Sequence, residues 1–187
     1  MKKQTRISKF LSYILRHDPS AINSVVDAHG FLQININELV KRMRDLKQFQ
    51  NLDIQISDII DVVNRDSKGR YELVDDKIRA RYGHSIDDIH IILNESEVPM
   101  ILFHGTIKEN LAEILEHGLK PMGRNLVHLT ETIKDAISTG KRHGQNIVIL
   151  KIDAKKAVKN DIIIRKPGKN VYTAIRIPAE FISLFEE

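Results

Sequence analysis

An apolar stripe near the start of the sequence is the feature that most restricts how this chain can fold. Its members recur at i, i+3, i+4, i+7 and i+8, which is the spacing of one face of an α-helix, and such a face has to be buried. They are Ile7, Phe10, Leu11, Ile14 and Leu15. The stripe therefore predicts an amphipathic helix that packs against a core.

The same helix has a polar face and a predicted end. Lys9, Ser12 and Arg16 are three and four residues apart, so they lie together on a side away from the stripe. A proline follows Asp18 and disfavours the α conformation at that residue, which predicts that the helix ends near His17. Arg16 and His17 are then expected at a helix C-terminus, where the helix dipole favours positive charge.

Positive charge is concentrated in this first segment. The whole chain has 29 Lys and Arg against 25 Asp and Glu, which gives a net charge of +4. Residues 1–20 alone also carry a net charge of +4, from five basic residues and one acidic residue. A basic helix face is either a solvated surface or a contact for a polyanion, and the charge alone leaves both readings open.

Two further helices are expected after the first. Asn35 with Glu38 resembles a capping box and predicts the start of the second helix. Ser57 is expected to cap the third. The polar stretch at 45–53 between them predicts a loop.

A hairpin is expected next, with strands at 70–74 and 77–82. Helices followed by a two-stranded wing favour a winged-helix module for residues 1–85. Such modules often bind nucleic acid, although a fold alone does not establish a function.

Residues 99–187 predict a second lobe, joined to the first by a connector at 86–98. Thr106 and Thr130 are expected to cap two helices in it. Short strands alternate with these helices without βαβ spacing, which predicts an α+β fold with a mainly antiparallel sheet. The predicted strands are 100–103, 126–129, 147–152, 161–165 and 171–177.

Several classes of protein are disfavoured by what the sequence lacks. It contains no Cys, which excludes disulfides, thiolate metal ligands and cysteine nucleophiles. No apolar run approaches the ~18–20 residues that cross a bilayer, and no apolar region follows the first residues, so we predict a cytoplasmic protein without a signal peptide. Rossmann and P-loop glycine motifs are absent. His104 and His143 have no partners at metal-ligand spacing, so no metal is predicted.

Two segments combine histidine with residue types that suit ligand binding. Arg16-His17 is either a helix end whose cations complement the dipole or a phosphate clamp, in which the guanidinium binds two oxygens and the imidazole exchanges a proton. His104-Gly105-Thr106 is either a turn with a capping threonine or a ligand site that the glycine lets the backbone approach closely.

Other Arg and His residues lie at predicted strand ends. Arg124 and His128 flank Val127, and strand alternation predicts Val127 in the core and His128 on the opposite face. Another group lies on or just after the hairpin, where a solvated wing is the alternative. It comprises Arg70, Arg79, His84 and Ser85.

Six motifs follow one another over residues 7–144. They read ISKFLSYILRHDP, HGF, IRARYGHS, ILFHGT, HGLKPMGRNLVHLT and GKRHG. Together they resemble the NAD-dependent RNA 2′-phosphotransferase family, which removes the 2′-phosphate that some tRNA ligation pathways leave at a splice junction. The resemblance implies a winged-helix RNA-binding lobe over 1–85 and an NAD-binding lobe like that of ADP-ribosyltransferases over 99–187.

The resemblance also implies which residues act. The catalytic basic residues of the family fall on Arg16, His17, Arg70 and Arg124. Its cofactor-binding signature falls on His104, His128 and Val171. Further cofactor contacts are expected at Gly105, Thr106, Thr130 and Arg142. The predicted RNA-binding residues are Lys9, Ser12, Arg79, His84 and Ser85.

The reaction implied by the resemblance consumes NAD and needs no metal. The RNA 2′-phosphate displaces nicotinamide and becomes ADP-ribosylated; the adjacent ribose hydroxyl then attacks the phosphate, which releases 2′-OH RNA and ADP-ribose 1″,2″-cyclic phosphate. Arginines suit this chemistry because they neutralise the phosphate. Val171 stands where protein-directed ADP-ribosyltransferases often place a glutamate, which disfavours a protein acceptor. A monomer is expected.

Two alternatives stay open. An ADP-ribosyltransferase that acts on terminal phosphates of nucleic acids would use the same NAD-binding lobe and stop after the first step. A winged-helix RNA-binding protein with an inactive second lobe is the other, because residues 169–174 read KNVYTA where the family has NGVWLT.

Overall fold

Helices and antiparallel sheets make up both halves of the chain in the computed structural model, which describes residues 2–89, 91 and 98–186. The predicted α+β class is confirmed. The chain divides into two compact units, Met1–Ile92 and Leu93–Glu187. This division falls within the predicted connector 86–98, of which residues 90 and 92–97 lie outside the described residues. The winged-helix and ADP-ribosyltransferase-like identities of the lobes stay predictions.

The first unit contains three α-helices and a hairpin among its described residues. The helices are α1 (Lys3–Arg16), α2 (Ile36–Asp45) and α3 (Ile56–Asn64), and the strands are β1 (Tyr71–Val74) and β2 (Lys77–Ala80). All five apolar residues of the predicted stripe on α1 are buried in the core of this unit. The helix ends at Arg16, with His17 as its C-terminal flanking residue, as the following proline predicts.

The cap of α2 is confirmed, whereas that of α3 was misplaced. The Asn35 side chain accepts a hydrogen bond from the backbone N–H of Glu38 at 2.9 Å. The prediction that Ser57 caps α3 is wrong, because Gln55 precedes the helix and its N–H donates to the Asp58 carboxylate at 2.7 Å. A glutamine supplies this capping box, so a prediction based on serine places the cap of α3 two residues too late.

The stretch 45–53 is more than a polar loop. It contains a 3₁₀ turn, Lys47–Phe49, whose Phe49 is buried and meets the Phe10 ring edge-on, with ring centroids 5.1 Å apart. A single aromatic residue thus anchors the segment to the core, a contact that no periodic pattern indicates.

Part of the positive charge of α1 is satisfied inside the first unit. Lys3 forms an ion pair with Asp58. Arg6 donates to the carbonyl oxygen of Gln48 and lies over the Phe49 ring, 5.8 Å from its centroid. Lys9 is exposed. Lys3 and Arg6 therefore help to hold α1 against α3 and the loop before it.

The second unit is built on one antiparallel sheet. Its strands are β3 (Ile101–Ile107), β4 (Val127–Thr130), β5 (Ile147–Asp153), β6 (Ile164–Gly168), β7 (Val171–Ala174) and β8 (Ile182–Leu184), and its helices are α4 (Leu111–His117), α5 (Ile133–Gly140) and α6 (Ala154–Lys159). The strand order is β6-β7-β4-β3-β5-β8. None of the described helices has the length and apolar content needed to cross a bilayer.

Two predicted helix caps in this unit are wrong. Thr106 belongs to β3, because the strand continues its pairing with β5 to Ile107, and α4 starts only at Leu111. Thr130 likewise stays in β4, where it pairs with β7, and Thr132 caps α5 by accepting from the N–H of Asp135 at 3.1 Å. Strand pairing across the sheet outweighed the local capping signal at both threonines.

Two predicted strands are also shorter or shifted. The strand expected at 161–165 runs instead from Ile164 to Gly168, because the short helix α6 and a left-handed turn at Asp161, with φ of 62°, occupy the residues before it. The strand expected at 171–177 ends at Ala174. Val171 therefore begins its strand directly after the turn from β6.

Candidate active site

The segment Tyr82–Ser85, which we call the Arg16 cradle, folds over the C-terminal end of α1. The Tyr82 ring lies under the guanidinium of Arg16, with 5.0 Å between the Arg16 Cζ and the ring centroid. Gly83 has a φ of +88°, and a Cβ on it would lie 3.3 Å from that Cζ. The N–H of Ser85 donates to the Arg16 carbonyl oxygen at 2.9 Å. Arg16 is thereby held at a fixed place, with 8% of the residue exposed.

His17 leaves the helix end as an exposed side chain. Its Nδ1 lies 2.8 Å from the Ser85 hydroxyl oxygen. Its own N–H donates to the carbonyl oxygen of Tyr13 at 2.9 Å, so the backbone of His17 is still tied to the last turn. The residue therefore presents an imidazole to solvent from a rigid backbone.

Arg70 joins Arg16 beside Tyr82. It stands directly before β1, and its Nη1 lies 2.7 Å from a carboxylate oxygen of the buried Asp66. Burial raises the pKa of the Tyr82 hydroxyl, and the positive charges of Arg16 and Arg70 oppose this effect. The N–H of Arg81 donates to the Arg70 carbonyl oxygen at 2.8 Å, so the backbone of Arg70 lies beside the segment whose Tyr82 contacts Arg16.

His84 is the buried member of the cradle. Only 6% of the residue is exposed, and burial, followed by the charges of Arg16, His17 and Arg79, lowers the pKa of His84 to about 4. Its Nε2 has no hydrogen-bond partner in the part of the chain that the structure describes. His84 is consequently a neutral imidazole near pH 7, which gives it no charge with which to attract an RNA phosphate.

Two other residues predicted to bind RNA are bonded within the first unit. The Ser12 hydroxyl lies 2.7 Å from the Tyr71 hydroxyl. Arg79 pairs with Glu72, donates to the carbonyl oxygen of His29 at 3.0 Å and lies over the Phe31 ring, 4.5 Å from its centroid. These contacts give both side chains a structural role, and their contact with RNA stays a prediction.

His104 in the second unit has a defined protonation pattern. Its Nδ1 lies 2.9 Å from the backbone carbonyl oxygen of His128, and a carbonyl only accepts, so Nδ1 carries the hydrogen. Burial lowers the pKa of His104, the bond to the His128 carbonyl oxygen opposes this effect, and the nearby His143 lowers the pKa further. His104 is therefore a neutral Nδ1–H imidazole whose Nε2 can accept a hydrogen bond.

The sheet register groups the predicted cofactor residues of β4 and β7. Thr130 pairs directly with Val171 and His128 pairs directly with Thr173, so the four side chains share one face. Phe103 of β3 pairs with Thr130 from the other side. Val127 and Leu129 alternate with these residues and are buried in the core, which places His128 on the face opposite to Val127, as the sequence predicts.

Gly105 is explained by packing within the protein. A Cβ on it would lie 1.9 Å from the backbone oxygen of Ala136, so the glycine lets α5 lie directly on β3. The close backbone approach that the sequence suggested is thus made by a helix of the same unit. Thr106 is buried, and its hydroxyl accepts from the Asn110 side chain at 3.4 Å.

The remaining predicted site residues lie at the surface of the second unit. Arg124 is exposed in the segment before β4, and Arg142 is exposed just after α5. Within the described residues, no three His, Asp or Glu side chains come close enough together to hold a metal ion.

One polar cluster is not indicated by any pattern in the sequence. A single carboxylate oxygen of Glu131 accepts from Lys166 Nζ and from the Tyr172 hydroxyl, each at 2.6 Å. The bond from Lys166, and then that from Tyr172, lowers the pKa of Glu131. Lys166 and Tyr172 are 35 and 41 positions from Glu131, and no local motif connects the three residues.

Known proteins resemble the chain along almost its whole length. The model of the RNA 2′-phosphotransferase, Tpt1 / KptA family matches residues 2–174. A protein of Pyrococcus abyssi named probable RNA 2′-phosphotransferase is 42% identical over 95% of this chain and 93% of its own length. Proteins with the same name in Thermococcus kodakarensis and Rhizobium leguminosarum bv. trifolii are 39% and 33% identical; the alignments cover 97% of this chain in both cases, and 97% and 95% of those proteins. On this similarity, and with the motif residues in the places described above, the chain belongs to the RNA 2′-phosphotransferase family.

Proposed function

We propose that this protein removes an internal 2′-phosphate from RNA by transferring it to NAD. The products are 2′-OH RNA, nicotinamide and ADP-ribose 1″,2″-cyclic phosphate. Membership of the family supports RNA 2′-phosphate as the substrate. The proposal adds NAD as the acceptor, a two-step route and the residue roles given below.

The cluster at the end of α1 is the observation that carries this proposal. Arg16 lies over the Tyr82 ring, Arg70 is bonded through its carbonyl oxygen to the N–H of Arg81, and His17 extends from the same helix end as Arg16. Guanidinium groups bind phosphate oxygens in pairs and keep their charge at any pH of interest. A phosphate bound by two fixed guanidiniums beside an imidazole is well placed for attack and for later protonation.

The first step needs little help from acid or base groups. An oxygen of the RNA 2′-phosphate forms a bond to C1″ of the nicotinamide ribose, and nicotinamide leaves as a neutral molecule. The nucleophile is already anionic and the leaving group needs no proton. Arg16 and Arg70 would orient the phosphate for this attack.

The second step depends more strongly on the basic residues. The 2″-hydroxyl of the ribose attacks phosphorus and loses its proton, while the bond from phosphorus to the RNA 2′-oxygen breaks and that oxygen gains a proton. Charge develops on the phosphoryl oxygens, so Arg16, Arg70 and Arg124 would stabilise it. His17 would protonate the leaving oxygen or bind the phosphate.

We assign RNA to the first unit as a winged-helix lobe and NAD to the second as an ADP-ribosyltransferase-like lobe, in a monomeric enzyme. Helices followed by the β1–β2 hairpin support the first assignment. The neutral His104, with an Nε2 able to accept a hydrogen bond, and the shared face of His128, Thr130 and Val171 support the second. On this assignment, His104→Ala should weaken NAD binding in calorimetry while RNA affinity stays within about twofold.

Incubation of the purified protein with an oligonucleotide that carries one internal 2′-phosphate tests the proposal. With NAD, mass spectrometry should find 2′-OH RNA and ADP-ribose cyclic phosphate, and without NAD the RNA should stay unchanged. A matched oligonucleotide with only a terminal phosphate is the control. Stable ADP-ribosylation of that control would favour an ADP-ribosyltransferase of nucleic-acid ends, and RNA binding without any NAD binding would refute enzymatic function.

A further inference from the structure

Ser85 occupies a defined position at the end of α1. Its N–H donates to the carbonyl oxygen of Arg16 at 2.9 Å, which satisfies one of the carbonyls that a helix leaves without a partner at its C-terminus. Its hydroxyl oxygen lies 3.5 Å from the same carbonyl oxygen and 2.8 Å from His17 Nδ1. One residue therefore contacts both the backbone of Arg16 and the side chain of His17.

The direction of the bond between Ser85 and His17 follows from which group accepts the Ser85 hydrogen, the Arg16 carbonyl oxygen at 3.5 Å or His17 Nδ1 at 2.8 Å. A backbone carbonyl only accepts, and we take the Ser85 O–H to donate to the Arg16 oxygen. The lone pairs of the hydroxyl oxygen are then directed to His17, whose Nδ1 must carry the hydrogen. The order is His17 Nδ1–H to Ser85 Oγ–H to Arg16 O.

A fixed Nδ1–H determines what the other ring nitrogen can do. In neutral imidazole only one nitrogen carries hydrogen, so Nε2 is the acceptor, and after protonation Nε2–H is a donor. Because Nδ1 is engaged by Ser85, His17 exchanges protons with a substrate through Nε2. Either role considered for His17, proton donor or phosphate ligand, then uses the same atom.

Ser85 belongs to a segment that is packed against Arg16. It ends the Arg16 cradle, in which Tyr82 stacks on Arg16 and Gly83 packs against the guanidinium. A Cβ on Gly83 would lie 3.3 Å from the Arg16 Cζ, so this position leaves little room for a side chain. The same loop thus sets the place of the arginine and the ring orientation of the histidine.

We propose that Ser85 is a positioning residue for His17, which it holds as the Nδ1–H tautomer with Nε2 directed to the RNA phosphate. This inference rests on the proposed function for its catalytic purpose, and the hydrogen bond itself is independent of it. The sequence predicts Ser85 as an RNA-binding residue, and on this proposal its hydroxyl, 2.8 Å from His17 Nδ1, also orients His17.

The test compares Ser85→Ala and Ser85→Thr with Ser20→Ala in the full chain. Threonine keeps the hydroxyl and alanine removes it. Ser20 donates to the Asp18 carboxylate close to the same helix end, so Ser20→Ala is a matched loss of a serine hydroxyl. Two-bond ¹H–¹⁵N spectra of histidine-labelled protein at about pH 8 report the tautomer of each neutral imidazole. His17→Asn identifies the His17 signals.

Wild-type protein should show His17 as the Nδ1–H tautomer, Ser85→Ala should shift it towards a mixture, and Ser85→Thr and Ser20→Ala should keep it. Loss of an orienting partner typically costs about 10- to 100-fold in activity. Ser85→Ala should therefore slow the decay of ADP-ribosylated RNA by a factor in that range, with rescue by Ser85→Thr.

Different results would overturn the proposed function and the role of Ser85. Absence of turnover by the wild-type protein overturns the proposed function. Turnover with an Nε2–H tautomer for His17, or a Ser85→Ala protein with the wild-type spectrum and rate, overturns the role of Ser85 alone. A loss of folding in Ser85→Ala would appear in its circular dichroism, and Ser85→Thr then decides the question through its tautomer.

Discussion

The buried neutral histidine His84 should make the first unit lose stability as the pH falls. Its pKa is lowered from 6.5 to about 4 in the folded protein, chiefly by burial, while the unfolded chain keeps the ordinary value. Between these two pKa values the unfolded state binds a proton that the folded state does not, so unfolding becomes more favourable as the pH decreases. Stability is intact above about pH 6.5 and is lost towards pH 4.

The size of the effect follows from the shift. One pKa unit corresponds to about 1.4 kcal/mol, so the full shift is worth about 3 kcal/mol. At about pH 5, where most of the unfolded chains but few folded ones are protonated at this residue, the loss is about 2 kcal/mol relative to pH 7.5. His84→Gln removes the titrating group and should remove this part of the pH dependence, whatever it does to stability at neutral pH.

Urea unfolding at the two pH values measures this difference. Methyl NMR signals from the core of the first unit, such as those of Ile14, report on this unit separately from the second. Other groups titrate in the same range, and Asp18 and Glu38 also lose stabilising hydrogen bonds when protonated, since the bonds to Ser20 and Arg42 lower their pKa values. Only the difference between the proteins is therefore assigned to His84, and His29→Gln, at an exposed histidine, is the matched control. If His84→Gln loses as much stability as wild type between the two pH values, the folded protein protonates His84 normally and the argument from burial is wrong.

Three further outcomes are expected. Gly105→Ala should destabilise the protein by ~1–3 kcal/mol in thermal unfolding, because its Cβ would meet the Ala136 oxygen. Gly123→Ala is the control, because Gly123 has open space around it, and equal melting temperatures of the two variants would refute the packing argument. Arg70→Ala or Arg124→Ala should slow the second step by ~10²–10³ and accumulate ADP-ribosylated RNA on a time-course gel; unreacted RNA alone, with normal NAD binding, would contradict their assignment to that step. Lys9→Gln should reduce the slope of log affinity for RNA against log salt by about one unit, and an unchanged slope would show that Lys9 contacts no phosphate.

Local signals in the sequence predicted the elements that local contacts determine. The proline after Asp18 ended α1 at Arg16, and Asn35 capped α2. The predictions failed where distant strands compete for the same residues. Thr106 and Thr130 have the side chain of a helix cap, yet pairing with β5 and β7 keeps them in strands. The free energy of sheet pairing depends on residues far apart in the chain, so a local motif cannot predict the pairing.

The candidate site shows the same division. Arg16 and His17 are adjacent in sequence, and their placement at a helix end was predictable. Their meeting with Arg70 and Ser85 depends on the loop after β2, which carries Tyr82 and Gly83 back to α1. The cluster of Glu131, Lys166 and Tyr172 depends in turn on strand order and was not predictable from spacing. The residue types in the sequence indicated the chemistry of the site, and tertiary contacts determined which of these residues lie together.

The internal pairing of Lys3, Arg6 and Arg79 bears on how the protein tells its substrate from ordinary RNA. Every nucleotide offers a phosphodiester charge, and each cation available to it releases counterions and strengthens binding without regard to sequence or modification. Cations already held by Asp58, the Gln48 carbonyl and Glu72 contribute little to that background. On the proposed function, unmodified RNA would then compete weakly with RNA that carries the extra charge of a 2′-phosphate.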